Sequence, residues 1–283
     1  MAKAFCTSSE ALCIVTGMTP IIIKTEEAVK QYSISKRNGS QTQLTDREVE
    51  LKNWPHPADV VKIIEDNRYN EQIQMYTDGS KNEHGFRSGV AVFVGKELQA
   101  QLKFKLDKGC SNNQAEQLAI AKALEVIDAI DIAENSPRMI GIFTDSSITV
   151  DSLKNVNNHS YLIKEIRNRI CILQRTNWTV ELSWVKAHVG IYGNELADKL
   201  AKTAACNRDT TVSFNRVPKS TLYRELEEEA TEKWQEAWEN CTKAAITKQF
   251  FPNVRDRVKL NININPNFTA IVTGHRKTRA YLH

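Results

Sequence analysis

The chain has 283 residues, of which 41% are hydrophobic and 25% charged, as is ordinary for a soluble globular protein. No run approaches the roughly 20 apolar residues of a transmembrane helix, and the amino terminus lacks the apolar core of a secretory signal. The six cysteines are scattered without a Cys-x-x-Cys pair. We therefore expect reduced thiols in an intracellular protein, cytoplasmic or nuclear.

The net charge of +4 is unevenly distributed along the chain. Residues 1–70 carry nine basic and nine acidic side chains, and residues 71–206 carry sixteen of each. The excess lies in residues 207–283, with thirteen basic against nine acidic, and from Lys243 to Arg279 eight basic residues accompany only Asp256. Such a stretch predicts contact with a phosphate backbone, and a merely solvated surface is the alternative.

The first 70 residues predict short helices and no chemistry. Gly17 ends the first helix, Pro20 precedes the second, and Asn38-Gly39-Ser40 is a break. The predicted helical segments are Glu10 to Thr16, Pro20 to about Lys36, around Asp46 to Lys52, and Ala58 to Asp66.

From Gln72 onward the pattern alternates between strands and helices. The predicted strands are Ile73–Asp78, Gly89–Val94, Leu98–Leu106, Ile140–Asp145 and Trp178–Val185. The predicted helices run from Cys110-Ser111-Asn112-Asn113 to about Ala133, from Ser146 to Leu153, from Tyr161 to Arg175 and from Asn194 to Ala205. The order βββαβααβα predicts an α/β domain with a mixed five-stranded sheet covered by helices.

Two of these strands end in an acid. Ile73 to Ser80 and Ile140 to Ser147 are both rich in β-branched and aromatic residues, and each ends in Thr-Asp-(Gly/Ser)-Ser. If the strands are parallel neighbours, their carboxyl ends meet at one sheet edge, where open α/β sheets place ligands. Asp78 and Asp145 would then form a carboxylate pair that normally holds a cation.

Two further acids lie beside apolar helix stripes. Glu116 precedes Ile120 by four residues and continues the stripe of the long helix, where a carboxylate needs a partner. That partner is either an arginine inside the protein or a site shared with Asp78. Asp198 flanks the stripe of the last helix. Each acid alone has an ordinary structural explanation, but together they predict one cavity with no protein cation among the four carboxylates.

Four motifs carry a family resemblance. Tyr76-Thr77-Asp78-Gly79-Ser80, Asn113-Gln114-Ala115-Glu116, Thr144-Asp145-Ser146 and Gly193-Asn194-Glu195-Leu196-Ala197-Asp198 resemble, in order and context, the motifs of type 1 ribonuclease H. The resemblance covers about residues 71–206 and implies a ribonuclease H-like fold. It also implies hydrolysis of the RNA strand of an RNA/DNA hybrid.

The resemblance implies two Mg²⁺ ions as cofactors, for which Mn²⁺ can substitute. Asp78 and Asp145 would carry most of the coordination, with Asp78 bridging, while Glu116 and Asp198 would each help to hold one ion. Carboxylates and substrate phosphate are the hard oxygen ligands that Mg²⁺ prefers. Two such ions can activate the attacking water and stabilise the leaving oxygen, so no side-chain nucleophile is needed.

The family also assigns roles around the acids. His188, in the loop Lys186–Gly193, would assist proton transfer or product release, and an exposed histidine without a role is the alternative. Residues implied to contact substrate are Gly79, Ser80, Ser111, Asn112 and Asn113. The two asparagines would read the minor groove and its 2′-hydroxyls; helix capping explains Ser111 and Asn112 equally well. The basic protrusion that some members carry is replaced here by the short loop Lys154–Ser160.

The flanks resemble parts of non-LTR retrotransposon reverse transcriptases. Ala4-Phe5-Cys6-Thr7-Ser8-Ser9-Glu10-Ala11-Leu12 with Gly17-Met18-Thr19-Pro20 is similar to the stretch after the polymerase region. Thr273-Gly274-His275 with Tyr281-Leu282-His283 is similar to the segment before a terminal cysteine/histidine zinc motif, which does not follow here. The resemblance implies that the chain is the carboxyl-terminal piece of such a polyprotein. Its expected partners are the RNA/DNA hybrid and the polymerase region of the same polyprotein. We expect no interaction with a membrane.

The predicted domain division is therefore a helical flank over 1–70, a ribonuclease H domain over 71–206 and a helical, basic flank over 207–283. Within the last, Lys219 to Asn240 predicts a helix with the apolar face Leu222, Leu226, Ala230, Trp234 and Ala237. It would dock on the ribonuclease domain or on the polymerase, or stand alone as a charged helix. The competing functional hypothesis is a catalytically silent remnant that only binds nucleic acid; a DNA-cutting member of the superfamily is disfavoured by Asn112 and Asn113.

Overall fold

A computed structural model of the chain describes residues 7–36, 45–46, 56–64, 72–83, 85–130, 138–203 and 211–275. The chain forms two compact units, Met1–Thr42 with Leu222–His283, and Gln43–Thr221. The segment predicted as one amino-terminal flank is thus divided between the units. Within the described ranges, no helix is long and apolar enough to cross a membrane.

The strands, all in the unit Gln43–Thr221, are β1 (Thr45–Asp46), β2 (Lys62–Ile64), β3 (Ile73–Asn82), β4 (Gly85–Val94), β5 (Glu97–Leu106), β6 (Met139–Thr144), β7 (Thr179–Trp184), β8 (Val212–Phe214) and β9 (Val217–Pro218). The α-helices of this unit are α3 (Pro57–Val60), α4 (Asn112–Val126), α5 (Ser147–Lys154), α6 (Tyr161–Arg175) and α7 (Tyr192–Thr203). A 3₁₀ turn, Ile127–Ala129, follows α4.

The sheet confirms the predicted α/β class. Its order is β2-β7-β6-β3-β4-β5-β8, with β3, β4 and β5 antiparallel and the remaining neighbours parallel. The five predicted strands form its centre, and the short edge strands β2 and β8 extend it to seven. One face packs on α4 and α6 around Ile120, Ile142 and Ile166. The other packs on α7 around Tyr76, Phe143 and Leu200.

Some local predictions need correction. The helix predicted over Ala58 to Asp66 is only the single turn α3, because the β-branched residues after it form β2 against β7. Asp46, predicted to begin a helix, lies in β1. The rest of that helix and the break at Asn38-Gly39-Ser40 lie outside the described residues. The helix predicted to reach about Ala133 is shorter: α4 ends at Val126, a 3₁₀ turn follows, and Ile130 has an extended backbone.

The unit Met1–Thr42 with Leu222–His283 is helical. It contains α1 (Ser9–Thr16), α2 (Ile21–Lys36), most of α8 (Lys219–Asn240), α9 (Ala245–Phe250), α10 (Val254–Lys259) and α11 (Pro266–Val272). α8 spans the predicted residues, but its buried face is Ala230, Trp234 and Trp238 rather than Ala237. Its tryptophans pack against Ile14, Val15, Phe251, Val254 and Val272. Both flanks therefore build one core.

Three basic side chains of the carboxyl-terminal stretch have structural partners. Arg257, 4% exposed, donates to the carbonyl of Val15. Lys248 donates to the carbonyl of Cys241 at 2.6 Å, and Arg255 pairs with Glu232 at 3.2 Å. The positive charge of this stretch thus serves the fold of the flank unit in part. The predicted contact with a phosphate backbone stays a prediction, and single substitutions test it better than deletion of core residues.

Candidate active site

β3 and β6 bring two acids to one edge of the sheet. The strands are parallel neighbours, with Thr77 opposite Thr144. Asp78 is the next residue on β3, and Asp145 directly follows β6. The predicted parallel arrangement of these two strands is therefore confirmed, and their carboxyl ends meet as open α/β sheets require.

α4 brings the third acid because it passes unusually close to β3. A Cβ atom on Gly79 would lie 2.6 Å from the backbone nitrogen of Glu116 and 2.9 Å from its carboxyl carbon. Ser88 on β4 donates from Oγ to the carbonyl of Ala115 at 2.6 Å, which ties the helix to the sheet. The glycine after Asp78 is thus required by packing, in addition to the backbone contact with substrate predicted for it.

The three acids form a compact cluster. One carboxylate oxygen each of Asp78, Glu116 and Asp145 lies within 4.8 Å of the others. Asp78 is 7% exposed and Glu116 6%, and Oε2 of Glu116 is buried and has no hydrogen-bond partner among the described residues. In the part of the chain that the structure describes, no arginine pairs with Glu116. Among the described residues, the alternative of an internal arginine partner therefore finds no support.

The cluster is electrostatically unfavourable in its charged form. Burial, reinforced by the charges of Asp145 and Asp198, raises the pKa of Asp78 to about 7. Burial, reinforced by Asp78 and Asp145, raises the pKa of Glu116 to about 9. Like charges held together out of water favour the protonated forms. A bound cation would reverse this preference.

Two side chains that we did not assign from the sequence hold Asp145. Trp184, at the end of β7, donates from Nε1 to the backbone carbonyl of Asp145 at 2.9 Å. Asn194, 2% exposed on α7, places Nδ2 3.4 Å from Oδ2 of Asp145. Asn194 belongs to the fourth motif, so its place in that motif was the available signal. No local pattern indicates the contact of Trp184.

Asp198 lies on α7, which packs closely on the sheet at two glycines. A Cβ atom on Gly89 would lie 2.2 Å from the carbonyl oxygen of Ala197, and one on Gly193 would lie 2.2 Å from the ring of Tyr76. Asp198 contributes to the raised pKa of both Asp78 and Glu116. Its Oδ2, however, accepts from Lys202 Nζ at 2.7 Å. The expectation of no protein cation among the four acids is therefore wrong, and the i,i+4 spacing could have revealed the pair.

The remaining predicted residues surround this edge. Ser111 is the N-cap of α4, and its hydroxyl accepts from the amide of Gln114 at 3.3 Å. Asn112 and Asn113 are exposed in the first turn, and Ser80 is half-buried on β3. His188 is exposed in the loop between β7 and α7, with a left-handed backbone (φ 55°).

The fold and the site together define an α/β protein with a carboxylate cluster at the carboxyl edge of its parallel strands, an arrangement able to hold divalent cations. The RNase H family model matches residues 70–206. Ribonuclease H of Campylobacter jejuni is 30% identical over 143 residues, which cover 48% of this chain and 92% of that protein. Human ribonuclease H1 is 27% identical over 147 residues, which cover 47% of this chain and 50% of that protein.

Among solved structures, RNase H1 from Halobacterium salinarum matches with 22% identity and a TM-score of 0.36, covering 47% of this chain and 96% of that one. Because the chain covers nearly all of a relative with which it is 30% identical, it belongs to the ribonuclease H family. The enzyme class predicted from the sequence is confirmed with it.

Proposed function

We propose that the chain hydrolyses the RNA strand of RNA/DNA hybrids with divalent cations, Mg²⁺ first among them, held by Asp78, Glu116, Asp145 and Asp198. The observation that carries this proposal is the cluster of Asp78, Glu116 and Asp145, whose carboxylate oxygens lie within 4.8 Å of one another and of which Asp78 and Glu116 are buried. Its place at the carboxyl ends of β3 and β6 is where an α/β sheet receives ligands.

The donor set fits a divalent cation. All of its ligands are hard carboxylate oxygens, as Mg²⁺ prefers. The unpartnered Oε2 of Glu116 and the raised pKa values of Glu116 and Asp78 support a site with excess negative charge, which Lys202 beside Asp198 offsets only in part. Bound ions would supply an activated water and charge stabilisation for the leaving oxygen.

The chain's own residues provide orientation. Trp184 and Asn194 fix the backbone and side chain of Asp145, and Gly79 allows Glu116 to approach Asp78. The exposed amides of Asn112 and Asn113 carry both donors and acceptors, which suits the base edges and 2′-hydroxyls of a hybrid minor groove. His188, exposed beside the start of α7, is the candidate for proton transfer.

We further propose that the chain comes from the carboxyl-terminal part of a non-LTR retrotransposon reverse transcriptase, with the polymerase region as partner and a cytoplasmic or nuclear location. The similarity of Ala4–Leu12, Gly17–Pro20 and Thr273–His275 to that polyprotein supports this. Sequencing the genomic locus tests it: a polymerase reading frame in phase upstream is expected, and an unrelated upstream gene would contradict it.

The decisive assay for the activity uses an end-labelled RNA/DNA hybrid with Mg²⁺ or Mn²⁺, and duplex DNA as control. We expect internal cuts in the RNA strand alone. A protein that binds the hybrid but never cuts it with either metal is the silent remnant. Cutting of duplex DNA would instead indicate a DNA-directed nuclease of the same fold.

Metal should stabilise the protein, and more so at high pH. Because the folded-state pKa values of Asp78 and Glu116 exceed their ordinary values of 3.8 and 4.5, stability without metal falls as pH rises above about 4, and the fall ends above about 7 for Asp78 and about 9 for Glu116. Mg²⁺ at about 100 times its dissociation constant adds about 2.7 kcal/mol. Thermal melts with Mg²⁺ or EDTA across this pH range measure the effect. A melting temperature independent of Mg²⁺ at pH 9 would contradict the site.

Removing the cation beside Asp198 should strengthen metal binding. Lys202→Gln leaves the cluster more negative, and because the Lys202 side chain is exposed the effect is modest, about 2- to 5-fold in half-saturating Mg²⁺ at low salt. Lys199→Gln makes the same charge change at an exposed position of α7 and is the control. Isothermal titration with Mg²⁺ provides the measurement. Equal effects of the two substitutions would show that the Asp198–Lys202 pair is irrelevant to metal binding.

Loss of His188 should slow the reaction without abolishing it. We expect His188→Ala to lower kcat by up to about 10²-fold, the range for one proton-transfer group. Binding of hybrid and the Mg²⁺ response should persist, because the exposed side chain is outside the acid cluster. Single-turnover cleavage across pH is the measurement. An unchanged pH–rate profile would leave His188 as an exposed loop residue without a role.

A further inference from the structure

Gln114 makes two kinds of hydrogen bond at the start of α4. Its Oε1 accepts from the amide of Ser111 at 3.0 Å, completing a capping box. Its Nε2 donates to Oδ2 of Asp46 at 2.7 Å and to the carbonyl of Arg216 at 3.0 Å. Gln114 is 4% exposed, so these bonds are shielded from water. Their strength and geometric selectivity increase accordingly.

Asp46 and Arg216 lie on opposite sides of the segment that the family model matches, residues 70–206. They are nevertheless brought together, because β1 pairs in parallel with β9, with Asp46 opposite Pro218. Arg216 also stacks on Tyr161, with its guanidinium carbon 3.7 Å from the ring centroid. Two chain segments distant in sequence thus meet at one point of the sheet domain.

The second oxygen of Asp46 binds another helix. Oδ1 accepts from the amide of Tyr161, the first residue of α6, at 3.1 Å. The N-cap residue Ser160 makes no side-chain capping bond, so Asp46 takes that role. An anion that accepts from a helix N-terminus satisfies a free amide and complements the helix dipole. One carboxylate therefore joins the first turns of α4 and α6.

The carboxyl-side segment also packs on the turn before α4. The amide of Asp107 donates to the carbonyl of Phe214 at 2.8 Å. A Cβ atom on Gly109 would lie only 2.7 Å from Cγ2 of Val217. The approach to α4 is thus held by backbone pairing and side-chain packing as well as by Gln114.

We propose that Asp46, Gln114 and Arg216, called here the flank clasp, position the first turn of α4, and through it Glu116 and the amides of Asn112 and Asn113. The inference rests on the proposed function, which assigns those three residues to metal and hybrid. Asp46, Gln114 and Arg216 act through the helix they fix and are positioning residues. The functional domain then includes segments from both flanks.

The kinetic test compares two glutamine substitutions in the full chain. Gln114→Met removes the clasp bonds at similar volume. Gln174→Met is the matched control, because Gln174 Nε2 donates to the carbonyl of flank residue Val60 at 2.9 Å, from the last turn of α6. At a temperature well below unfolding, Gln114→Met should raise the KM for hybrid and the half-saturating Mg²⁺ about 10-fold. The control should change both by less than about 2-fold.

Hydrogen exchange supplies a readout that does not need activity. Amides of residues 111–118 should exchange faster in Gln114→Met than in wild type and the control. If Gln114→Met does not fold, Asp46→Asn keeps the volume and an acceptor for Tyr161, and the same acceleration is expected. Combining Gln114→Glu with Asp46→Asn restores a hydrogen bond between the two side chains, with residue 46 now the donor and residue 114 the acceptor. The double variant should recover part of the protection from hydrogen exchange.

Unchanged exchange in Gln114→Met, or equal changes in Gln174→Met, would overturn the proposal. Accelerated exchange with unchanged KM and Mg²⁺ dependence would also overturn it, since the clasp would then be structural only. If wild type never cuts hybrid, the proposed function fails by itself, and Mg²⁺ titration with exchange still decides whether the clasp positions α4.

Discussion

Replacing Asp145 with asparagine is expected to reduce cleavage of the RNA strand by about 10³-fold or more. The substitution keeps the side chain's size and an oxygen that can still accept from Asn194, but it removes a hard anionic ligand. Affinity for the hybrid should hold or improve, because a negative charge facing the scissile phosphate is lost. Gel assays of cleavage and equilibrium binding measure the two effects.

The same substitution, although it slows cleavage, should stabilise the metal-free protein. The charge of Asp145 helps to raise the pKa of Asp78 and Glu116, so its removal should lower both and raise the melting temperature in EDTA at alkaline pH. The rise in melting temperature on adding Mg²⁺ should be smaller in this variant than in wild type. A merely damaged fold would instead lower stability with and without metal.

Asp151→Asn is the matched control for this pair of measurements. It removes one negative charge from an exposed position on α5 without touching the cluster. We expect unchanged cleavage, an unchanged metal response and little change in stability. Equal cutting by wild type and Asp145→Asn would point to a contaminating nuclease and would remove the support for the acid cluster.

Gly79→Ala is expected to cost both stability and activity. The new methyl group would overlap the backbone nitrogen of Glu116, and backbone cannot move aside as a flexible side chain can. Overpacking of this kind costs about 1 to 3 kcal/mol. Because α4 must shift, Glu116 leaves its place beside Asp78, and a displacement of about 1 Å can cost about 10²-fold in rate.

Urea unfolding and hybrid cleavage measure the two effects of Gly79→Ala. Gly95→Asn is the control, since Gly95 has φ +60° and no atom within 4 Å of an added Cβ. Asparagine tolerates the left-handed region, so we expect a change below about 1 kcal/mol and normal activity. Full activity of Gly79→Ala with an ordinary Mg²⁺ response would show that the close approach of α4 to β3 is dispensable.

Elements with strong local signals could be predicted from the amino-acid sequence. α6 and α8 have the predicted bounds, because a 15- or 22-residue amphipathic pattern is reinforced at every turn. The strands before Asp78 and Asp145 were found because near-continuous β-branched and aromatic runs suit a buried sheet. The burial of Glu116 followed from its place on the apolar stripe of α4. The four motifs identified the family because their order and context are specific.

Features that depend on residues distant in sequence became visible only in the assembled fold. The short strands β2 and β8 at the edges of the main sheet, and β9, which pairs with β1, have two or three residues. They are stable through the strands they pair with, so propensity predicts them poorly. The buried face of α8 packs on residues of both flanks, including Ile14 and Val15 more than 200 positions away. The hydrogen bond that Gln114 donates to Asp46 joins residues 68 positions apart. Periodicity reports which face of an element is buried, but only the assembled fold determines what covers it and which polar groups meet there.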